Sequence, residues 1–230
     1  MQTLDSPGCH TRTAILDTAE RLFACNGFEA TSLRTITAQA GANLGAVNYH
    51  FTSKDGLILE VLKRMFQPVN EHRLRLLNAL EADGRAPGVK AILEALFRPT
   101  LEVVSRQTPG GWFFPRLLAF CLTEPGAYLK PLVEEEFALK TRRFHTALHR
   151  ACPGLSKAEV RWRLHFALGA FIHTAGNPQL LEITSEGLCK ATDPEAVLKR
   201  IVGFCAAGFR ATEGTPSWAA QTLLPIPPCL

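Results

Sequence analysis

From residue 11 to residue 210, apolar side chains return at intervals of three and four, and the strict alternation of a half-buried strand is nearly absent. That periodicity commits the chain to an all-α fold. Glycine and proline cut the pattern into segments. An opening helix is predicted over residues 11–26, with Ile15, Ala19, Leu22 and Phe23 on one stripe and a stop at Gly27. The Ser32 hydroxyl is placed to cap a second helix that runs to Ala40 and ends at Gly41. Residues 44–51 then make a short third helix, with Ala46, Val47 and Phe51 turned inward and Asn43, Gly45, Asn48 and Tyr49 outward.

Ser53 caps a longer helix whose apolar spacing persists from Leu57 through Leu80, with Pro68 inside it as an expected bend or interruption. Further helices are predicted over 89–104, with Pro99 inside, and over 112–122 and 128–151, around a loop at 108–111. Ser156 and Glu159 have the spacing of a capping box and open a helix over 157–175, and Asp193-Pro194-Glu195 opens the last, over 194–210. The domain expectation is a flexible segment at 1–10, a three-helix unit at 11–53, a larger helical domain at 54–211 and a proline-rich tail at 212–230.

With 47% hydrophobic residues the chain can bury a sizeable core, so wholesale disorder is excluded. No run approaches the roughly 18 apolar residues of a membrane span, and residues 1–10 lack the organisation of a secretory signal. A cytoplasmic protein with no membrane partner is expected. The seven cysteines are scattered, without a C-x-x-C pair or a close Cys/His cluster, and read as free thiols packed as small hydrophobes. No metal or cofactor is expected. The G-x-S-x-G, Walker A, H-E-x-x-H and dinucleotide fingerprints of common enzyme classes are absent, and the Glu134-Glu135-Glu136 run reads as a solvated face.

Two short helices joined by a glycine turn and buttressed by a preceding helix have the layout of a helix-turn-helix unit. The residues go further. Ala30-Thr31-Ser32-Leu33-Arg34-Thr35-Ile36, then Ala40-Gly41-Ala42, then Gly45-Ala46-Val47-Asn48-Tyr49-His50-Phe51 with Ser53-Lys54 behind it, closely resemble the tetracycline-repressor (TetR) family of transcription regulators. The likeness covers residues 11–60, and the spacing from Tyr49-His50-Phe51 to Lys54 is its most specific part. It implies a helix-turn-helix domain that binds a double-stranded DNA operator, followed by an effector-binding and dimerisation domain.

On that resemblance Tyr49, His50 and Lys54 are candidates for phosphate contact, with Thr31, Ser32 and Arg34 beside them. Asn43, Leu44, Gly45 and Asn48 are the candidates for reading base edges: asparagine pairs with adenine, leucine meets a thymine methyl, and glycine lets the backbone approach. Asn48 stands where many family members carry an aromatic residue. Charge does not mark the unit. The whole chain is formally +4, but residues 1–60 hold four Lys/Arg against six Asp/Glu, a net −2. Phosphate recognition then rests on a few placed donors and helix N-termini.

The final helix is apolar around most of its circumference, which implies two buried faces. A homodimer is expected through a four-helix contact using Leu164, Leu168, Phe171, Ile172, Ile201, Val202, Cys205 and Phe209. An effector pocket is expected from Met65, Phe66, Phe97, Trp112, Phe113, Phe114 and Phe120, with Arg98, Arg116, His145, His173 and Asn177 as polar anchors. The resemblance points to an apolar or amphipathic small-molecule effector, such as a fatty acid or acyl derivative, that releases a repressor from a palindromic operator. The competing readings are a helical lipid-binding or interaction module without DNA binding and, more remotely, an enzyme.

Overall fold

The computed structural model describes residues 7–105 and 113–211, and every described element is helical. The expected terminal segments fall mostly outside those residues. So do Trp112, Cys229 and the loop at 108–111.

Helix α1 (Pro7–Asn26) begins four residues ahead of the expected start, and Gly27 ends it at φ +86°. Next come α2 (Leu33–Gln39) and α3 (Leu44–Phe51). Serine and asparagine side chains fix both starts: the Ser32 hydroxyl accepts from the Thr35 amide, and the Asn43 side-chain oxygen accepts from the Ala46 amide. Between α3 and α4 the backbone folds tightly, with Thr52 at φ +67°. A Cβ on Gly56 would lie 2.0 Å from the Phe51 carbonyl oxygen, so only glycine fits this junction.

Helix α4 (Lys54–Glu81) runs unbroken through Pro68 for 28 residues, a span of about 42 Å at 1.5 Å per residue. It joins two cores. Its Leu57, Val61 and Leu62 pack with Ile15, Phe23, Ile36 and Val47 of the first three helices, while Leu77 packs with α5 (Val89–Ser105). The first core also takes Phe114 and Leu117 of α6 (Phe113–Thr123). The three-helix unit therefore shares its interior with the domain that follows.

The helix expected over 128–151 is a composite. A turn of α7 (Leu129–Leu132) passes into a π-helical stretch (Val133–Phe137) and then α8 (Ala138–Ala151). A π segment takes more residues per turn, bonding i to i+5, and so shifts the faces presented on either side. Helix α9 (Lys157–Gly176) and α11 (Pro194–Arg210) start at their expected caps. The short α10 (Pro178–Thr184) lies between them, where no helix was predicted. Its apolar residues face solvent, so no inward stripe announced it.

The second core joins α5, α8, α9 and α11, with Phe97 stacked on Phe171 at 4.5 Å between ring centroids. This corrects the expected dimer contact. Leu164, Phe171, Ile201, Val202, Cys205 and Phe209 are buried within the one chain, while Leu168 and Ile172 are partly buried beside them. The inner face of α11 is taken by α5 and α9. The outer faces carry Trp162 (58% exposed), Phe166 (62%) and Phe204 (71%) instead, with Trp162 and Phe166 stacked.

Candidate nucleic-acid interface and ligand cavity

Helix α3 buries Val47 and Phe51 and thereby turns its opposite face to solvent. Leu44, Gly45, Asn48 and Tyr49 all lie on the exposed side, with Tyr49 85% exposed and its ring edge-on to His50 at 4.9 Å. Asn43 stands at the N-terminus of this face. Its oxygen is engaged in the cap, which leaves its amide N–H groups for a partner. Arg34 projects from the exposed side of α2.

Thr31 sits elsewhere. It is buried, and its hydroxyl donates to the Leu22 and Gly27 carbonyls, so it locks the turn after α1 and cannot reach a phosphate. Ser32 remains exposed, and besides its cap it shares a hydrogen bond with the Thr35 hydroxyl. Thr35 was not singled out in the sequence, although its place one turn from Ser32 was the available signal. The Lys54 ammonium, at the start of α4, donates to the Glu29 carbonyl at 3.2 Å. It thus helps hold the turn between α1 and α2 and retains two further N–H donors.

That same turn is gripped from the other domain. Glu124, in the loop after α6, accepts from the backbone amides of Phe28 and Glu29 at 2.9 and 3.1 Å. Tyr128 donates to the Glu124 carbonyl and sets its ring against Phe28, which also meets Phe120. The Arg116 guanidinium donates to the Cys25 carbonyl. Arg116 and Phe120 are thus parts of the interdomain contact and do not line the cavity.

A cavity of about 140 Å³ lies between α4, α5, α6, α8 and α9. Of the expected lining, Phe66 and Phe114 reach it. Residues placed in the dimer contact by sequence, Leu164, Leu168, Phe171 and Ile172, line it as well. Phe97 lies behind Phe171 in the core, and Met65 and Phe113 pack against the first core. Arg98 pairs with Glu195 across α5 and α11, and His173 and Asn177 sit at the exposed end of α9. His145 faces a separate groove between α8 and α9, where burial and the neighbouring Arg161 hold its pKa below the usual histidine value.

The polar groups that do reach the cavity are Asn70, Arg73, Lys140 and Thr141. Sequence reading missed them because Arg73 and Lys140 look like ordinary solvated positions on charged helices. Lys140 is balanced by Glu136 at 2.6 Å. Arg73 donates to the Leu96 carbonyl, the Asn70 side-chain oxygen and the Thr100 hydroxyl, all neutral acceptors. Burial pushes its pKa down to about 10, which leaves it charged at neutral pH. Burial likewise raises the thiols of Cys121 and Cys205 to about 12 and about 11, which makes them inert. Among the described residues no cluster of His, Cys, Asp and Glu suits a metal ion, and no helix is long and apolar enough to cross a membrane.

Residues 15–61 match the profile of bacterial regulatory proteins of the tetR family, and residues 94–208 match a tetracyclin repressor-like C-terminal domain. The transcriptional repressor KstR2 of Rhodococcus jostii is 32% identical over 94 residues, covering 40% of this chain and 43% of KstR2. The regulator UidR of Escherichia coli is 37% identical over 62 residues, covering 27% of this chain and 30% of UidR. The chain thus aligns with less than half the length of these two relatives. Among solved structures, a tetR-family transcription regulator from a Shewanella species has a TM-score of 0.58 at 18% identity, covering 86% of this chain and 95% of that one. The fatty acid degradation regulator FadR of Bacillus halodurans gives 0.55 at 14% identity, covering 92% and 100%. At such identities the structural likeness speaks for the fold alone. The two profile matches, the first ending inside α4 and the second beginning in α5, show that the chain belongs to the TetR family of bacterial regulatory proteins.

Proposed function

We propose that the protein is a dimeric, ligand-responsive transcriptional regulator that represses by occupying a palindromic operator. The observation that carries this reading is α3: a two-turn helix anchored by Val47 and Phe51, with Leu44, Gly45, Asn48 and Tyr49 offered to solvent beside the donors Arg34 and Lys54. An exposed short helix on a rigid base is the geometry that enters a major groove. The net −2 of residues 1–60 does not oppose this, because Arg12 is paired with Glu60 and Arg64 with Asp17 and Glu20, away from the reading face.

A second copy of the chain covers the outer faces of α9 and α11. Trp162, Phe166 and Phe204 supply apolar anchors, and Gly169, Gly203 and Gly208, where an added Cβ would meet nothing, permit close approach. Two-fold pairing there sets two α3 helices to read half-sites about 34–36 Å apart. An effector in the cavity and DNA on α3 weaken one another if they favour different dimer shapes.

The test is binding of the purified protein to DNA from upstream of its own gene and to random DNA, across a salt series. Saturable, salt-sensitive preference for the upstream fragment is expected, and Tyr49→Ala with Lys54→Ala should abolish it while the dimer persists. Equal binding to both DNAs would sink the reading in favour of a module without operator recognition. A Phe166→Glu, Phe204→Glu protein is expected to sediment as a monomer.

A further inference from the structure

Arg73 is a cation on the wall of a largely apolar cavity, and among the described residues no carboxylate pairs with it. Three of its five N–H donors go to the Leu96 carbonyl, Asn70 and Thr100 at 2.8–3.0 Å. One N–H on each terminal nitrogen has no acceptor among the described residues, and a carboxylate brings two oxygens that can take them. Apart from Asn70, Lys140 and Thr141 the rest of the wall is apolar, with Phe66, Phe114, Phe137, Phe144, Leu168 and Ile172 among its residues. The other cation, Lys140, is already neutralised by Glu136. A guanidinium so placed carries a desolvation cost that a bound anion would offset.

A second feature points the same way. Phe137 and Thr141 line both this cavity and the groove of about 530 Å³ between α8 and α9. That groove presents Arg142, Arg150, Lys157 and Arg161 with His145 and His149, and no Asp or Glu lines it. Arg150 reaches Glu81 at 3.9 Å, and the other three cations have no carboxylate partner among the described residues. A one-signed surface leading to a low-dielectric pocket raises the local concentration of the opposite charge.

Resting on the effector reading above, we infer that the cavity takes a small organic monocarboxylate, its carboxylate on Arg73 and a ring-sized apolar body among the phenylalanines. The size follows from the volume: about 140 Å³ is close to the ~150 Å³ cavity that binds benzene. A long acyl chain does not fit this space.

Calorimetric titration of the full chain with benzoate, cyclohexanecarboxylate and hexanoate, and with the corresponding neutral amides, tests the inference. At least one acid is expected to bind at least tenfold more tightly than its amide, and Arg73→Gln, checked for folding by its melting transition, should erase the difference. Arg73→Lys should recover it in part, since it keeps the charge without the fork. No binding by any of the acids, or equal binding by acids and amides, overturns the inference. Should Arg73→Gln fail to fold, the acid-against-amide comparison on the native protein decides alone. A DNA-release assay with the same compounds separates the two levels. An acid that binds through Arg73 without weakening DNA association leaves the ligand class standing and sinks the effector reading. A neutral compound that binds and releases DNA does the reverse.

Discussion

The reading head and the cavity treat polar side chains in opposite ways. In the head, Thr31, Ser32 and Asn43 each satisfy a backbone group three or four residues away, so their first task is to fix the helices that display α3. In the cavity, Arg73 and Asn70 bond to one another and to elements far along the chain, and the Arg73 charge has no carboxylate partner among the described residues. Polar residues near in sequence shape the first region. Residues brought from distant helices shape the second.

The largest expected effect lies in the cavity region. Phe97 is fully buried and stacked on Phe171, so Phe97→Ala should lower unfolding stability by about 3–5 kcal/mol in a denaturant titration. A loss under about 1 kcal/mol would mean that the second core repacks freely, and the contrast with the locally built head would weaken. Next comes the contact that joins the regions. Glu124→Ala leaves the Phe28 and Glu29 amides without their acceptor and should cost about 1–3 kcal/mol. Hydrogen exchange should speed up at those two amides while Ile92 and Leu93 in α5 keep their protection. Unchanged exchange at Phe28 and Glu29 would show that the head stands without the clamp.

Within the head, Asn43→Ala should cost about 1 kcal/mol and Asn43→Ser much less, because serine restores the cap on α3. DNA affinity then sorts the two roles of Asn43: recovery by serine assigns the residue to capping, and failure to recover assigns it to base contact. The smallest effect is a pH slope. Burial first, and Arg161 second, depress the His145 pKa, so the unfolded chain binds the proton more readily than the folded one. The stabilising contribution is fully present above the usual histidine value near 6.5 and is lost as pH falls through the lower folded value. His145→Gln should flatten the thermal-stability profile between about pH 7.5 and 5.5. A profile unchanged by the substitution would assign the slope to other groups.

These contrasts also explain how much could be read from sequence. The three helices of the head, the caps at Ser32, Ser53, Ser156 and Asp193 and the outward face of α3 were legible because each signal spans a few residues. The cavity was not. Its wall comes from five helices, and Leu164 and Phe171 carried an apolar pattern that fits a dimer face as well as a core. Periodicity says that a helix has two apolar faces and is silent on which neighbour takes which. Trp162, Phe166 and Phe204 could be assigned to the outside only after α5 had been seen against the inside of α11.

The Glu124 contact bears on whether the head is an exchangeable module. Family profiles divide the chain into two parts, which invites grafting a foreign head onto this C-terminal domain at residue 53. The first core crosses that seam through Phe114 and Leu117, and Glu124 with Tyr128 holds the turn after α1. A graft cut there would replace both amide partners of a carboxylate that stays behind. A working chimera needs the 27–31 turn and residues 113–128 to be inherited together, so the natural unit of recombination is discontinuous in the chain.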